Sequence, residues 1–288
     1  MSSPPSAARF LSLLLALSLP FYLAGWLAGD TALGPGLPLP VSAAMAICPG
    51  VAAIVLTRAE RGAAAGRELL ARAVELPAAG RRHRLLRAAL VVPGATVASY
   101  LIQRLLGRDL PGGGPSVALI AGLLVFFLVV AAAEEIGWTG YLLPAARRRL
   151  PAPHAAVLIG VACALWHALP YAQAGHRTGW IAAQCLVTVA LRVLTVWAYE
   201  GSGGALGSAV LLHASVNVSV WAFPHLGSHY DPVVLLPLLL VLAGWATREL
   251  SAWAGTAAGA PPARRGSLPL SGTSRTSPPL PGGRRRER

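Results

Sequence analysis

Apolar residues along the chain gather into eight long runs, near 10–29, 37–57, 85–106, 116–143, 154–173, 179–199, 205–223 and 232–247. A helix needs about 20 mostly apolar residues to cross the hydrocarbon of a bilayer, and each run approaches that length. The pattern predicts an all-α fold: a polytopic membrane helix bundle of about eight transmembrane helices with an intramembrane site. The first run follows Arg9 and resembles a signal peptide, but it has no small-x-small cleavage site and further spans follow, so it is read as a retained helix. The chain divides into N-terminal transmembrane helices (1–115), which include a basic cytoplasmic loop (58–84), a second set of helices (116–250), and a disordered basic cytoplasmic tail (251–288) rich in Ser, Pro, Gly and Arg. Within the 58–84 loop, Leu69, Leu70, Val74 and Leu76 recur among charges, which suits either a surface helix or a solvated linker.

Charge fixes an orientation for these runs. Of 288 residues, 55% are hydrophobic and 12% charged, about half the charged share of a soluble domain. The net charge of +13 comes from 24 basic residues, all of them Arg. They concentrate in connections, as the positive-inside rule describes, and so do not indicate a nucleic-acid partner. Seven arginines lie between residues 58 and 84, three more at Arg147, Arg148 and Arg149, and others in the tail. Eight alternating spans place all of these on one side, with both termini in the cytoplasm of a multi-pass cell-membrane protein. Arg without Lys, beside abundant Ala, Gly and Pro, points to a GC-rich bacterial source. Cys48, Cys163 and Cys185 fall in apolar stretches without metal-type spacing and read as small core residues.

Ionisable groups inside a membrane cost roughly 2.5–3.5 kcal/mol each and are functional candidates by default. Four places hold them: Glu134 and Glu135 in the fourth run, His167 in the fifth, Arg192 in the sixth, and His213 with Asn217 in the seventh. At 1.5 Å per residue, Glu134, His167, His213 and Asn217 share a layer roughly 14–21 Å from the Arg-rich surface. His213 and Asn217, four apart, share a helix face. A carboxylate and a neutral imidazole can together deprotonate a water, while a second imidazole and an amide can donate to an oxyanion. These are the components of peptide-bond hydrolysis without a covalent intermediate. Arg192 has two candidate partners, Glu200 or the Glu134/Glu135 pair. Trp138, Tyr141 and Trp166 read as packing residues or interfacial anchors, and His154, His176, His225 and His229 fall at run ends or in connections.

Three ordered motifs, Glu134-Glu135-x-x-x-Thr139, Cys163-x-x-x-His167 and His213-x-x-x-Asn217, resemble the signature of the CPBP family of intramembrane proteases. That family, also called Abi or CAAX-protease-like, includes the prenyl-protein endopeptidase Rce1. Its pattern reads Glu-Glu-x-x-x-Arg, then Phe-x-x-x-His, then His-x-x-x-Asn, so Thr139 replaces an Arg and Cys163 a Phe. The resemblance covers about 130–220. It implies an intramembrane endopeptidase acting on a membrane-associated peptide or protein near the cytoplasmic side, with Glu134 and His167 activating water, His213 and Asn217 stabilising the oxyanion, and Glu135 in support. The family has often been labelled metalloprotease, and zinc held by Glu134, His167 and His213 is an option. The absence of His-Glu-x-x-His and the single ligands from separate helices favour a metal-free, glutamate-dependent site. A catalytically silent scaffold or bacteriocin-immunity protein of the same family is the alternative that Thr139 favours, and a proton-coupled transporter is the third reading.

Overall fold

The computed structural model describes residues 5–28, 32–34, 37–224 and 226–259. Ten α-helices are found among them: α1 (Ala7–Ala28), α2 (Cys48–Arg61), α3 (Ala63–Ala71), α4 (His83–Leu105), α5 (Val117–Gly137), α6 (Leu143–Arg147), α7 (Ala152–Gln173), α8 (Thr178–Gly201), α9 (Leu206–Ala222) and α10 (Pro232–Gly259). Seven helical stretches are long and apolar enough to cross a membrane, by length and composition. The eighth, α9, has 17 residues and spans about 26 Å at the helical rise. Seven long spans with one short helix constitute an all-α polytopic bundle.

Three segments differ in detail from the apolar pattern. The second run is composite: Leu37–Pro40 (β2) pairs antiparallel with Ala32–Gly34 (β1), a 3₁₀ turn covers Val41–Ile47, and α2 follows. Pro38 and Pro40 lack the N–H groups that a helix needs there. Of the two readings of the 58–84 connection, the surface helix holds: it contains α3, most of whose residues are exposed. Its α3 buries Leu69, while Leu70, Val74 and Leu76 stay exposed. Its later residues are tied down as well: Gly207 N–H donates to the Glu75 carbonyl (3.1 Å) and Arg72 Nη2 to Tyr199 Oη (3.0 Å). Finally, α10 continues to Gly259, so the chain stays helical past the expected boundary at 251. The remainder of the proposed tail, 260–288, lies outside the described residues.

The short helix α9 packs on α4, α5 and α8, α7 packs on α8, and α8 on α10. Leu206, Ala209, Leu212 and Ala214 on α9 are fully buried, so this helix meets protein on most sides. Peripheral helices turn Leu19, Leu90, Val129, Leu165 and Val241 outward, which suits a hydrocarbon solvent. Where α2 crosses α5, two glycines let the backbones nearly touch. A Cβ on Gly50 would lie 2.4 Å from the Ala133 carbonyl oxygen, and one on Gly137 would lie 2.5 Å from that of Pro49. Small residues at such crossings are the usual route to close approach in membranes. This crossing brackets Glu134 and Glu135.

Gly137→Ala is predicted to lower the thermal stability of the detergent-purified protein by about 1–3 kcal/mol, the usual cost of overpacking. Gly122→Ala, on the same helix where an added Cβ meets nothing within 4 Å, should melt like the parent. Equal melting of both variants would show that the crossing is not tight.

Candidate active site

Adjacent residues on a helix point about 100° apart, so the two carboxylates of α5 serve different surroundings. Glu134 lines a cavity of about 620 Å³, together with His167, Arg192, His213 and Asn217. Glu135 turns away from it into the protein and is fully buried. There Glu135 Oε2 accepts from Arg192 Nη1 (2.7 Å) and from Thr139 Oγ1 (2.5 Å). Its other oxygen, Oε1, accepts from His213 Nδ1 (2.8 Å). Arg192 Nη1 also reaches Thr139 Oγ1 (3.4 Å). Of the two partners considered for Arg192, the structure selects Glu135; Glu200 pairs instead with Arg147 (3.1 Å).

This arrangement orients His213. With Nδ1 held by Glu135, its Nε2 faces Glu134 Oε1 at 4.0 Å, leaving Glu134 Oε2 with no hydrogen-bond partner among the described residues. His167 is fixed separately. Its Nδ1 lies 2.9 Å from the Cys163 carbonyl of its own helix. Because a carbonyl can only accept, Nδ1 carries the proton and neutral His167 keeps a free lone pair on Nε2. No hydrogen bond joins His167 to Glu134, and none is made by the Asn217 side chain among the described residues.

Local sequence explains the supports. Immediately after Glu135 the backbone widens into a π turn over Trp138–Leu142. Pro144 follows it and has no N–H for the Gly140 carbonyl, so a regular α ladder is interrupted here. Such wide turns recur at functional sites. In α7, Pro170 likewise cannot donate to Trp166, and the freed Trp166 carbonyl accepts from Tyr22 Oη (2.7 Å). Trp166 Nε1 donates to Ser18 Oγ (2.8 Å). These two bonds anchor α1 beside His167. Trp138 is buried, with its ring edge-on to Phe10 and Trp166, and Tyr141 Oη donates to Glu60 (2.9 Å). All three aromatic residues act in packing.

Sequence spacing missed several residues around the cavity. His176, stacked on Trp180 at 3.6 Å, lines it, as do Tyr171, Tyr230 and Leu226. His154 opens α7, and His229 is buried against Tyr100 and Phe223. His225 lies outside the described residues. The cavity is bounded by connections of the Arg-poor face. Among the described residues, no three His, Cys, Asp or Glu side chains gather closely enough to hold a metal ion. Glu134, His167 and His213, the set considered for zinc, all line the cavity.

Residues 115–219 match the family model for type II CAAX prenyl endopeptidases, Rce1-like. The match spans α5 through most of α9 and so contains Glu134, Glu135, His167, Arg192, His213 and Asn217. No curated protein matches the chain.

Arg192→Met is predicted to destabilise the protein by about 3–5 kcal/mol, because Glu135 would be left as an unpaired buried charge. Adding Glu135→Gln to the same chain should recover most of that loss. Thermal unfolding in detergent reads both effects, and an Arg192→Met variant that melts with the parent would contradict this assignment.

Proposed function

We propose that this chain is an intramembrane endopeptidase that hydrolyses a membrane-associated polypeptide with an activated water, a reading supported by the match of residues 115–219 to the Rce1-like family model. The single observation that carries the reading is the division of labour between two adjacent carboxylates. Glu135 is neutralised by Arg192 and used to orient His213, while Glu134 keeps an oxygen without a partner beside the cavity.

In this reading Glu134 and the free Nε2 of His167 hold the water, and Glu134 takes its proton as the oxygen attacks the peptide carbonyl carbon. The oxyanion receives hydrogen bonds from Nε2–H of His213 and from the Asn217 amide. As the tetrahedral intermediate collapses, the C–N bond breaks and the proton on Glu134 passes to the departing nitrogen. One water is consumed, and the products are a carboxylate and an amine. Arg192 and Glu135 neutralise one another, so that buried pair adds no net charge to the layer.

The silent-scaffold alternative rested on Thr139 standing where the family motif has Arg. Arg192 supplies a guanidinium to Glu135 from α8, so that substitution does not leave the carboxylates without a cation. No step is assigned to an ion.

Reconstituted protein is expected to cleave membrane-tethered reporter peptides. Glu134→Ala should lose about 10²–10⁴-fold in rate, the usual contribution of a general base. A chelator should leave the parent rate unchanged. Equal rates for Glu134→Ala and the parent would remove Glu134 from the chemistry, and loss of activity on chelation would favour the metal reading instead.

A further inference from the structure

The cavity, the helix ends and the charge distribution together give the site a direction. Helix α7 runs from the Arg-rich end at Ala152 to the opposite end at Gln173. His167 lies six residues before that end, about 9 Å at the helical rise, and about 22 Å from Ala152. Helix α9 runs the same way, and Asn217 lies five residues before its end at Ala222, about 7.5 Å. The two groups that would meet water and oxyanion therefore sit within about two helical turns of the Arg-poor face.

The cavity leads to that same face. Its lining takes Ala174 and His176 from the α7–α8 connection, Leu226 and Gly227 from the α9–α10 connection, and Ala43–Ile47 from the turn preceding α2. His176 and Leu226 are exposed. No lining residue comes from the connections on the other side, 58–84, 148–151 or 202–205. That other side is strongly basic, with seven arginines between 58 and 84 and three at 147–149. The start of α1 belongs to it as well, since Arg9 lies 4.0 Å from Glu60 near the end of α2. On the cavity's face, Arg108 is paired with Asp231 (2.5 Å), and Arg104 donates to the Leu110 carbonyl (2.8 Å).

We infer that substrate enters this site from the extracytoplasmic side of the membrane, as an extended and predominantly apolar stretch of polypeptide. Short basic loops remain in the cytoplasm, which sets the Arg-poor face outside. The apolar requirement follows from the wall: Trp166, Tyr171, Trp180, Trp221 and Tyr230 line the cavity. The arginine in its wall, Arg192, is already engaged by Glu135 and offers little to an acidic segment. The inference rests on the endopeptidase reading for the word substrate, while the side of access stands on geometry and charge alone.

The test uses the full-length protein in sealed membrane vesicles prepared right-side-out and inverted, with a membrane-impermeant maleimide. Thr188→Cys places a thiol in the cavity wall, and Arg148→Cys places one on the basic face; labelling of the parent protein supplies the background from its native cysteines. Thr188→Cys is expected to label above background in right-side-out vesicles only, and Arg148→Cys in inverted vesicles only. Labelling of Thr188→Cys from the inner face, from both faces or from neither overturns the inference, as does labelling of Arg148→Cys from outside. An apolar fluorogenic peptide added to the same vesicles should be cleaved only when they are right-side-out, and more slowly once acidic residues replace its apolar ones. Absence of cleavage in both orientations defeats the endopeptidase reading, while the labelling still decides the side of access.

Discussion

The structure around the cavity depends on one buried ion pair. Arg192 and Glu135 meet at 2.7 Å with their side chains 5% and 0% exposed, in a region where an unpaired charge of either sign is strongly disfavoured. The pair is completed by hydrogen bonds, since Thr139 donates to the same carboxylate oxygen and His213 occupies the other. A buried pair of this kind is weak evidence for stability by itself, and its best-attested use is to specify one arrangement. Here it ties α8, α5 and α9 together at one depth and fixes which nitrogen of His213 faces Glu134. Remove the guanidinium, and both the carboxylate and the imidazole lose their reason to point where they do.

Backbone geometry brings those side chains into register. The glycines at the α2–α5 crossing bring α2 against the turn that bears the two carboxylates, and the π turn after Glu135 re-aims the helix before Pro144. Pro170 performs a related task in α7, freeing a carbonyl that α1 then captures through Tyr22. Each device costs some regularity in a helix. Each lies within a turn or two of a residue in the candidate site, where departures from local regularity are expected to cluster.

Much of this was legible in the sequence. Eight apolar runs gave the spans because a bilayer demands length and apolarity, and the structure differs mainly where Pro38 and Pro40 delay α2 and where α10 runs on past 251. Counting residues at the helical rise placed Glu134, His167, His213 and Asn217 in a common layer, and all four line one cavity. Residue counts could not show that Glu135 faces away from that cavity while Glu134 faces into it, because the azimuth of a helix is set by its neighbours. Nor could they choose between Glu200 and Glu135 for Arg192, since the choice depends on how α8 packs against α5. The burial of Leu69 and the role of His176 as a cavity-lining residue are likewise products of tertiary packing. Nor does depth counted from one surface reveal the direction of the cavity, which depends on which helix ends lie nearer the other.

The central claim is that a single guanidinium at Glu135 holds the site together, whichever helix supplies it. Thr139 stands one turn from Glu135 and already touches Arg192, so the cation can be moved from one position to the other. Peptide cleavage by Thr139→Arg, Arg192→Thr and the double variant, each checked for folding by melting temperature, tests this directly. The account predicts that each single change impairs cleavage and that the double variant restores it. A double variant that folds like the parent yet remains as inactive as Arg192→Thr alone would contradict it.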